Sequence, residues 1–271
     1  MKKIVAFGNC QAGQIASLLE VMLPRTGYKI NSYSNNARTG EQKSDHEVMA
    51  AIKQADVLIY QPLSENHGKL SESGLLSRVK DDCAAISFSY LYNSGITALG
   101  QAPKGGKRSY GLIFGEDVLR ERLAAGAGRA DLKLAYEAGT LDFKVRERFA
   151  ASLAEMKRRE TRTSIRLGDY IQRHYQATQL FLTHSHPTNA VFFELLRQLT
   201  VLTDLPIDLE GTQPDALPSL FQTNYPLSPH DVREHGYQFA PHADWLAKGH
   251  QLIDLVVDEW ETEQQAEAQP A

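Results

Sequence analysis

Lys2-Lys3-Ile4-Val5-Ala6-Phe7-Gly8-Asn9-Cys10-Gln11-Ala12-Gly13-Gln14 is the stretch whose reading decides the fold. Ile4 to Phe7 is a short continuous apolar run, the pattern of a strand buried on both faces of a parallel sheet. Gly8 and Asn9 break it, and Ile15, Leu18, Leu19 and Met22 then recur at helical spacing. Strand, tight turn and helix follow one another, with a cysteine in the turn. Cys10 therefore falls at the carboxyl end of a first strand, where open α/β sheets build their ligand crevices. It also lies by the amino end of a helix, whose free N–H groups and dipole favour a thiolate or a developing oxyanion. A small cysteine buried at a strand–helix junction is the plainer alternative. Gly-Asn-Cys-Gln taken together points to function. The glycine lets the backbone turn, and the Asn9 and Gln11 amides can donate to a carbonyl oxygen.

Outward from that stretch the alternation continues. Tyr28 to Tyr33 reads as a second strand, Asp45 to Gln54 as a helix, and Ala55 to Tyr60 as a buried strand leaving through Gln61-Pro62-Leu63-Ser64. A short helix from Leu75 to Lys80 precedes a strand from Ala84 to Tyr90. Strands alternating with helices predict an α/β fold with a parallel sheet and right-handed crossovers. Residues 116–162 read as helices and form an expected insertion or lid. The α/β core is then expected over 1–115 and 163–260, with a disordered acidic tail over 261–271.

Composition narrows the function classes. The chain has 271 residues, 42% hydrophobic and 23% charged, as in ordinary globular proteins. A net charge of -4 gives no general case for nucleic-acid binding. Two cysteines, Cys10 and Cys83, make no disulfide framework. No run approaches a membrane span, and the first apolar run is too short for a signal-peptide core. A cytoplasmic protein is expected.

Two basic segments stand out in this acidic chain. Gln101-Ala102-Pro103-Lys104-Gly105-Gly106-Lys107-Arg108 misses the phosphate-cradling P-loop pattern at its first glycine and at its Ser/Thr, so a nucleotidase is rejected. Its cations could still meet a ligand's phosphates, or simply face solvent. From Lys144 to Arg166 basic residues outnumber acidic ones, which suits an anion site or a solvated helix face.

A second strand-to-helix junction follows at Leu180-Phe181-Leu182-Thr183-His184-Ser185-His186-Pro187-Thr188-Asn189. Strand alternation puts His184 and His186 on one face, and Pro187 suits a first helical turn. His-x-His without a third ligand does not make a metal site. A capping or core histidine is the alternative to a functional one. The segment from 209 to 229 reads as a long ordered loop, and Pro241-His242-Ala243-Asp244-Trp245 opens a last helix running to about Trp260.

Gly8-Asn9-Cys10-Gln11 after the first strand, Gln61-Pro62 at a later strand exit and the late Leu-Phe-Leu-Thr-x-x-His186-Pro187-Thr188-Asn189 resemble the WcbI family. Ser164-Ile165-Arg166-Leu167-Gly168-Asp169-Tyr170-Ile171 is similar to the stretch that precedes the family's His-Pro-Thr-Asn motif. The resemblance runs from about Lys3 to Leu202. It implies a three-layer core like that of SGNH/GDSL hydrolases, coenzyme A or acetyl-CoA binding, and O-acetylation of a capsular or other surface polysaccharide. Cys10 then stands where the SGNH fold places its nucleophile, His186 is the candidate base, and Asn9 and Gln11 complete the catalytic set. Gly8, Gln61 and Asn189 from the motifs, with Lys104, Lys107, Arg108, Arg158 and Arg159 from the basic segments, are the cofactor-binding candidates. No metal is expected. The partners implied are acyl-CoA and a saccharide acceptor; a homo-oligomer is left open. Gly-Asn-Cys departs from Gly-Asp-Ser, and Thr183 stands where the triad Asp would be, so another group must orient His186, Asn189 or a backbone carbonyl. An esterase-like hydrolase on the same residues and a CoA-binding protein without catalysis remain as alternatives.

Overall fold

Four apolar residues, Ile4 to Phe7, are wholly or almost wholly withdrawn from solvent and form the centre of a parallel sheet. The computed structural model describes residues 1–35, 45–101 and 111–268. In chain order the elements are β1 (Lys2–Gly8), α1 (Cys10–Met22), β2 (Tyr28–Ser34), α2 (Asp45–Lys53), β3 (Val57–Tyr60), α3 (Glu72–Leu76) and β4 (Ala84–Ser87). They continue with β5 (Gly100–Gln101), β6 (Ile113–Phe114), α4 (Glu116–Ala124), α5 (Arg129–Ala138), α6 (Val145–Glu160) and α7 (Gly168–His174). The last are β7 (Phe181–Thr183), β8 (His186–Pro187), α8 (Asn189–Leu202), α9 (Pro229–His235) and α10 (Trp245–Ala268).

Contacts divide the chain into two compact units. The first comprises Met1–Leu91, Ala154–Arg173 and His186–Gln222; the second comprises Tyr92–Leu153, His174–Ser185 and Thr223–Ala271. Of residues 116–162, those from 116 to Leu153 fall in the second unit and those from Ala154 on fall in the first.

The sheet of the first unit has the order β2-β1-β3-β4 and every pairing is parallel. Ile4 pairs with Ile30 on one side and with Val57 on the other. Strand order reverses between β1 and β3, which makes their carboxyl ends the switch point where such sheets open a crevice. Val5, Phe7, Leu58 and Tyr60 pack one face against Val48 and Ile52 of α2 and Leu75 of α3. Ile4 and Ala6 face the other way by strand alternation, and α1 packs on β1 and β2. The expected resumption of the sheet at Leu180 to Thr183 does not occur: β7 lies outside it, and all four strands come from the first 87 residues. The run at 180–183 carried a strand signal, but that signal is local and does not name a partner.

The second unit is built on α4, α5 and α10, with Leu119, Leu132, Tyr136, Ile253 and Val256 at its centre. The acidic tail read as disordered is helical through Ala268. Arg120 pairs with Glu259 and Glu263, and Arg129 with Asp254, Asp258 and Glu261, so cations on α4 and α5 extend the helix.

Helix α9 carries two buried titratable groups, Asp231 and His235, each 2% exposed. Burial pushes the Asp231 carboxyl up to about 6, against hydrogen bonds from Ser228 and Ala98. Burial also pushes His235 down to about 4, helped by Arg146 and Arg148. The signs oppose. The Asp231 contribution is full below the unfolded value near 3.9 and is lost as pH rises through about 6. The His235 contribution is full above about 6.5 and is lost as pH falls through about 4. Each is on the order of 3 kcal/mol, so they offset one another between pH 4 and 6.5. Thermal melts of the wild type are expected to change little across that window. His235→Phe is expected to grow more stable as pH falls through it. A flat profile in the variant contradicts the offset.

Candidate functional site

The turn between β1 and α1 is held from below by side chains. A methyl group on Gly8 would stand 2.7 Å from the Gln61 Oε1 atom, so the position needs glycine for close approach rather than for a special backbone angle. Gln61 Oε1 accepts the Asn9 N–H at 2.8 Å, and its Nε2 donates to Gln11 Oε1 at 3.0 Å. The Gln11 amide donates to the Leu91 carbonyl at 2.7 Å and accepts the Leu91 N–H at 3.1 Å. Gln11 is fully buried and Gln61 is 4% exposed. The expected use of the Gln11 amide on an oxyanion is therefore corrected: its buried carboxamide ties the turn to β3 and to the chain beyond β4.

Asn9 is the N-cap of α1, its Oδ1 accepting the Gln11 N–H at 3.0 Å. Cys10 is the first residue of that helix and is exposed. Burial of its sulfur by the surrounding turn nonetheless raises the thiol pKa, outweighing hydrogen bonds from the Cys10 and Gln11 N–H groups. The helix terminus alone predicted the opposite direction. Desolvation wins because α1 offers neutral donors, not a full positive charge.

His184 and His186 diverge. His184 belongs to the second unit, where its Nδ1 meets the Tyr225 hydroxyl and its ring stacks on Tyr225. His186 belongs to the first, where its ring lies on Phe221 with centroids 4.3 Å apart and planes 7° apart. Burial lowers the His186 pKa, which favours the neutral imidazole. Its Nδ1 is buried without a hydrogen-bond partner among the described residues. Stacking thus fixes the ring. Asn189, one of the groups expected to orient it, is engaged elsewhere. Its side chain accepts from Gln14 at 3.0 Å and donates to the Leu217 carbonyl at 2.9 Å, joining α1, α8 and the following loop. That is the geometry of a structural tie, in place of the cofactor contact expected of it.

A cleft of about 530 Å³ opens at the carboxyl edge of the sheet. Its wall includes Asn9 after β1, Asn35 after β2, Gln61 to Ser64 after β3, Ser89 and Tyr90 after β4, and Arg158, Arg159, Arg162 and Thr163 at the end of α6. The structure thus brings Asn9, Gln61, Arg158 and Arg159 together on the cleft wall; Cys10 follows Asn9 in the chain, and neither Cys10 nor His186 is among the lining residues. Arg158 and Arg159 are both paired with Glu155, whose carboxyl they hold down at about 2. Lys104, Lys107 and Arg108 lie outside the described residues. Arg162 falls within the basic run read above as suiting an anion site, and Ser89 was not among the site candidates. The signal for them was present, in the basic run from 157 to 166 and in the polar exit of β4, but periodicity does not show which side chain turns to a cleft. Among the described residues no cluster of His, Cys, Asp or Glu could hold a metal, and no helix is long and apolar enough to cross a membrane.

These features define an α/β protein with a ligand crevice at the switch point of a parallel sheet, a cysteine at its helix terminus and arginines along one wall. The chain belongs to the WcbI family: the profile of the polysaccharide biosynthesis enzyme WcbI matches residues 3–207. A solved structure of similar fold is that of WcbI, described as a novel polysaccharide biosynthesis enzyme, in a native form without a disulfide bond between coenzyme A and one of its cysteines. It matches with a TM-score of 0.72 at 19% identity, over 95% of this chain and 90% of that one. At that identity the likeness speaks for the fold. No curated protein matches the chain.

Proposed function

We propose that this chain binds coenzyme A in the cleft beside Cys10 and transfers an acyl group, acetyl in the simplest case, to a saccharide hydroxyl in surface-polysaccharide biosynthesis. The observation that carries the reading is the exposed Cys10 at the N-terminus of α1, next to Asn9 on the wall of an arginine-bearing cleft. Support comes from the family and from the coenzyme A named with the solved WcbI structure.

The residues fit that ligand. Arginines suit its phosphates, and the exposed thiol suits the thioester end. Acyl-CoA supplies an activated acyl group. The Cys10 sulfur accepts it with little change in free energy, because one thioester replaces another and the carrier leaves as its thiol. His186, its neutral form favoured by burial, then takes the proton of the acceptor hydroxyl as that oxygen attacks and the Cys10 sulfur departs. A second route, in which His186 activates the hydroxyl for direct attack and Cys10 shapes the pocket, needs no thiolate, to which the raised Cys10 pKa is an obstacle.

Release of free coenzyme A from acetyl-CoA, with and without a polysaccharide acceptor, tests the activity. Acceptor-dependent release is expected. Release without acceptor identifies a hydrolase, and binding with no release identifies a non-catalytic carrier.

A further inference from the structure

Three arginines stand on the cleft wall, and they are not equivalent. Arg158 gives two hydrogen bonds to Glu155, at 2.6 and 2.8 Å, and Arg159 a third at 2.7 Å. The Arg162 side chain has no ion pair or hydrogen bond among the described residues. Across the same cleft wall, Ser89 is 4% exposed and its Oγ has no hydrogen-bond partner among the described residues. A buried hydroxyl left without a partner in a cleft wall is costly unless a ligand completes it.

The two groups are brought to one place by a stapled loop. Ser164 and Ser87 exchange reciprocal bonds, the Ser164 N–H to Ser87 Oγ at 3.0 Å and the Ser87 N–H to Ser164 Oγ at 3.1 Å. The Ile165 N–H adds a bond to the Ser87 carbonyl at 3.0 Å. At the other end, buried Glu160 accepts the Leu167 N–H at 2.7 Å and the Gly168 N–H at 3.0 Å. The short loop that carries Arg162 is thus pinned at both ends. One of those pins is two residues from Ser89.

We propose that Arg162 and Ser89 form the phosphoryl-binding subsite of this cleft, and that Arg158 and Arg159, held by Glu155, do not. The ligand class is a phosphate ester or diphosphate, and the source assigned is the bound coenzyme A; that source rests on the function proposed above. A guanidinium fork with no protein partner among the described residues can meet phosphate oxygens in a charge-assisted pair, and the serine hydroxyl adds one donor after a single χ1 rotation. Pinning the loop lowers the ordering cost of that contact.

Calorimetric titration of pantetheine, 4′-phosphopantetheine and coenzyme A into the full chain tests this, with Arg162→Ala, Ser89→Ala and Arg158→Ala compared. In the wild type the phosphate is expected to improve affinity about tenfold or more, the size of one good charge-assisted contact. Arg162→Ala is expected to erase that gain and leave pantetheine unchanged. Ser89→Ala is expected to reduce the gain, and Arg158→Ala to preserve it. Both arginines are exposed, so folding is not at issue. A gain that survives Arg162→Ala, or is lost equally in Arg158→Ala, overturns the proposal. Inorganic pyrophosphate separates the two readings. If no pantetheine compound binds but pyrophosphate does, and is lost in Arg162→Ala, the subsite stands and its ligand is another diphosphate, such as a sugar nucleotide. If neither binds, both readings fall.

Discussion

Incubation with acetyl-CoA alone is expected to add one acetyl mass to the wild-type protein, and Cys10→Ser is expected to abolish nearly all of that adduct. Cys10 is exposed while Cys83 is only partly so, and alkylating agents should therefore label Cys10 first. Because burial raises the Cys10 pKa, labelling should keep accelerating as pH rises beyond the ordinary thiol range. Acetyl-CoA should protect the thiol. His186→Ala is expected to slow turnover by about 100-fold or more, the usual worth of a general base, with coenzyme A affinity within about twofold. Burial lowers the His186 pKa, and the base must be neutral, so activity should fall only as pH drops below the ordinary histidine value. Mass spectrometry of the intact protein decides between routes. Turnover without an adduct, retained in Cys10→Ala, establishes direct attack.

Gln11→Ala is expected to destabilise the protein by about 2–5 kcal/mol, because it strands several buried polar groups at once. The Leu91 N–H and C=O lose their partner, and the Gln61 Nε2 loses its acceptor. Urea denaturation measures the loss. Gln11→Glu keeps the acceptor for the Leu91 and Gln61 N–H groups but sets a buried carboxylate oxygen against the Leu91 carbonyl, and is expected to be destabilising as well. If Gln11→Ala melts like the wild type and loses only kcat, the carboxamide acts on the reacting oxygen after all, and the role given to it by the fold is wrong.

Much of this protein is legible in its first 90 residues because the signals there are local. Four apolar residues, a glycine and a helical repeat specify β1, the turn and α1 with no help from the rest of the chain. The polar exits at Asn9, Gln61 and Ser89 follow, since a parallel sheet places all its strand exits on one edge. The basic run near Arg158 was legible in the same way, as composition. The partner that each side chain takes was not. Gln11 and Asn9 looked alike as amides beside a cysteine, yet Gln11 is drawn inward by Leu91, 80 residues away. Arg162 differs from its neighbours only because Glu155 sits one turn before Arg158 and Arg159 on the same side of α6. The strand at Phe181 kept its local conformation and lost its expected sheet, and the acidic tail became helix through arginines more than 120 residues earlier. In the first 90 residues backbone conformation is set by neighbours in the chain, and there the sequence determined it. Hydrogen bonds and ion pairs are set by neighbours in space, and only the tertiary structure decided which polar groups remain available to a ligand.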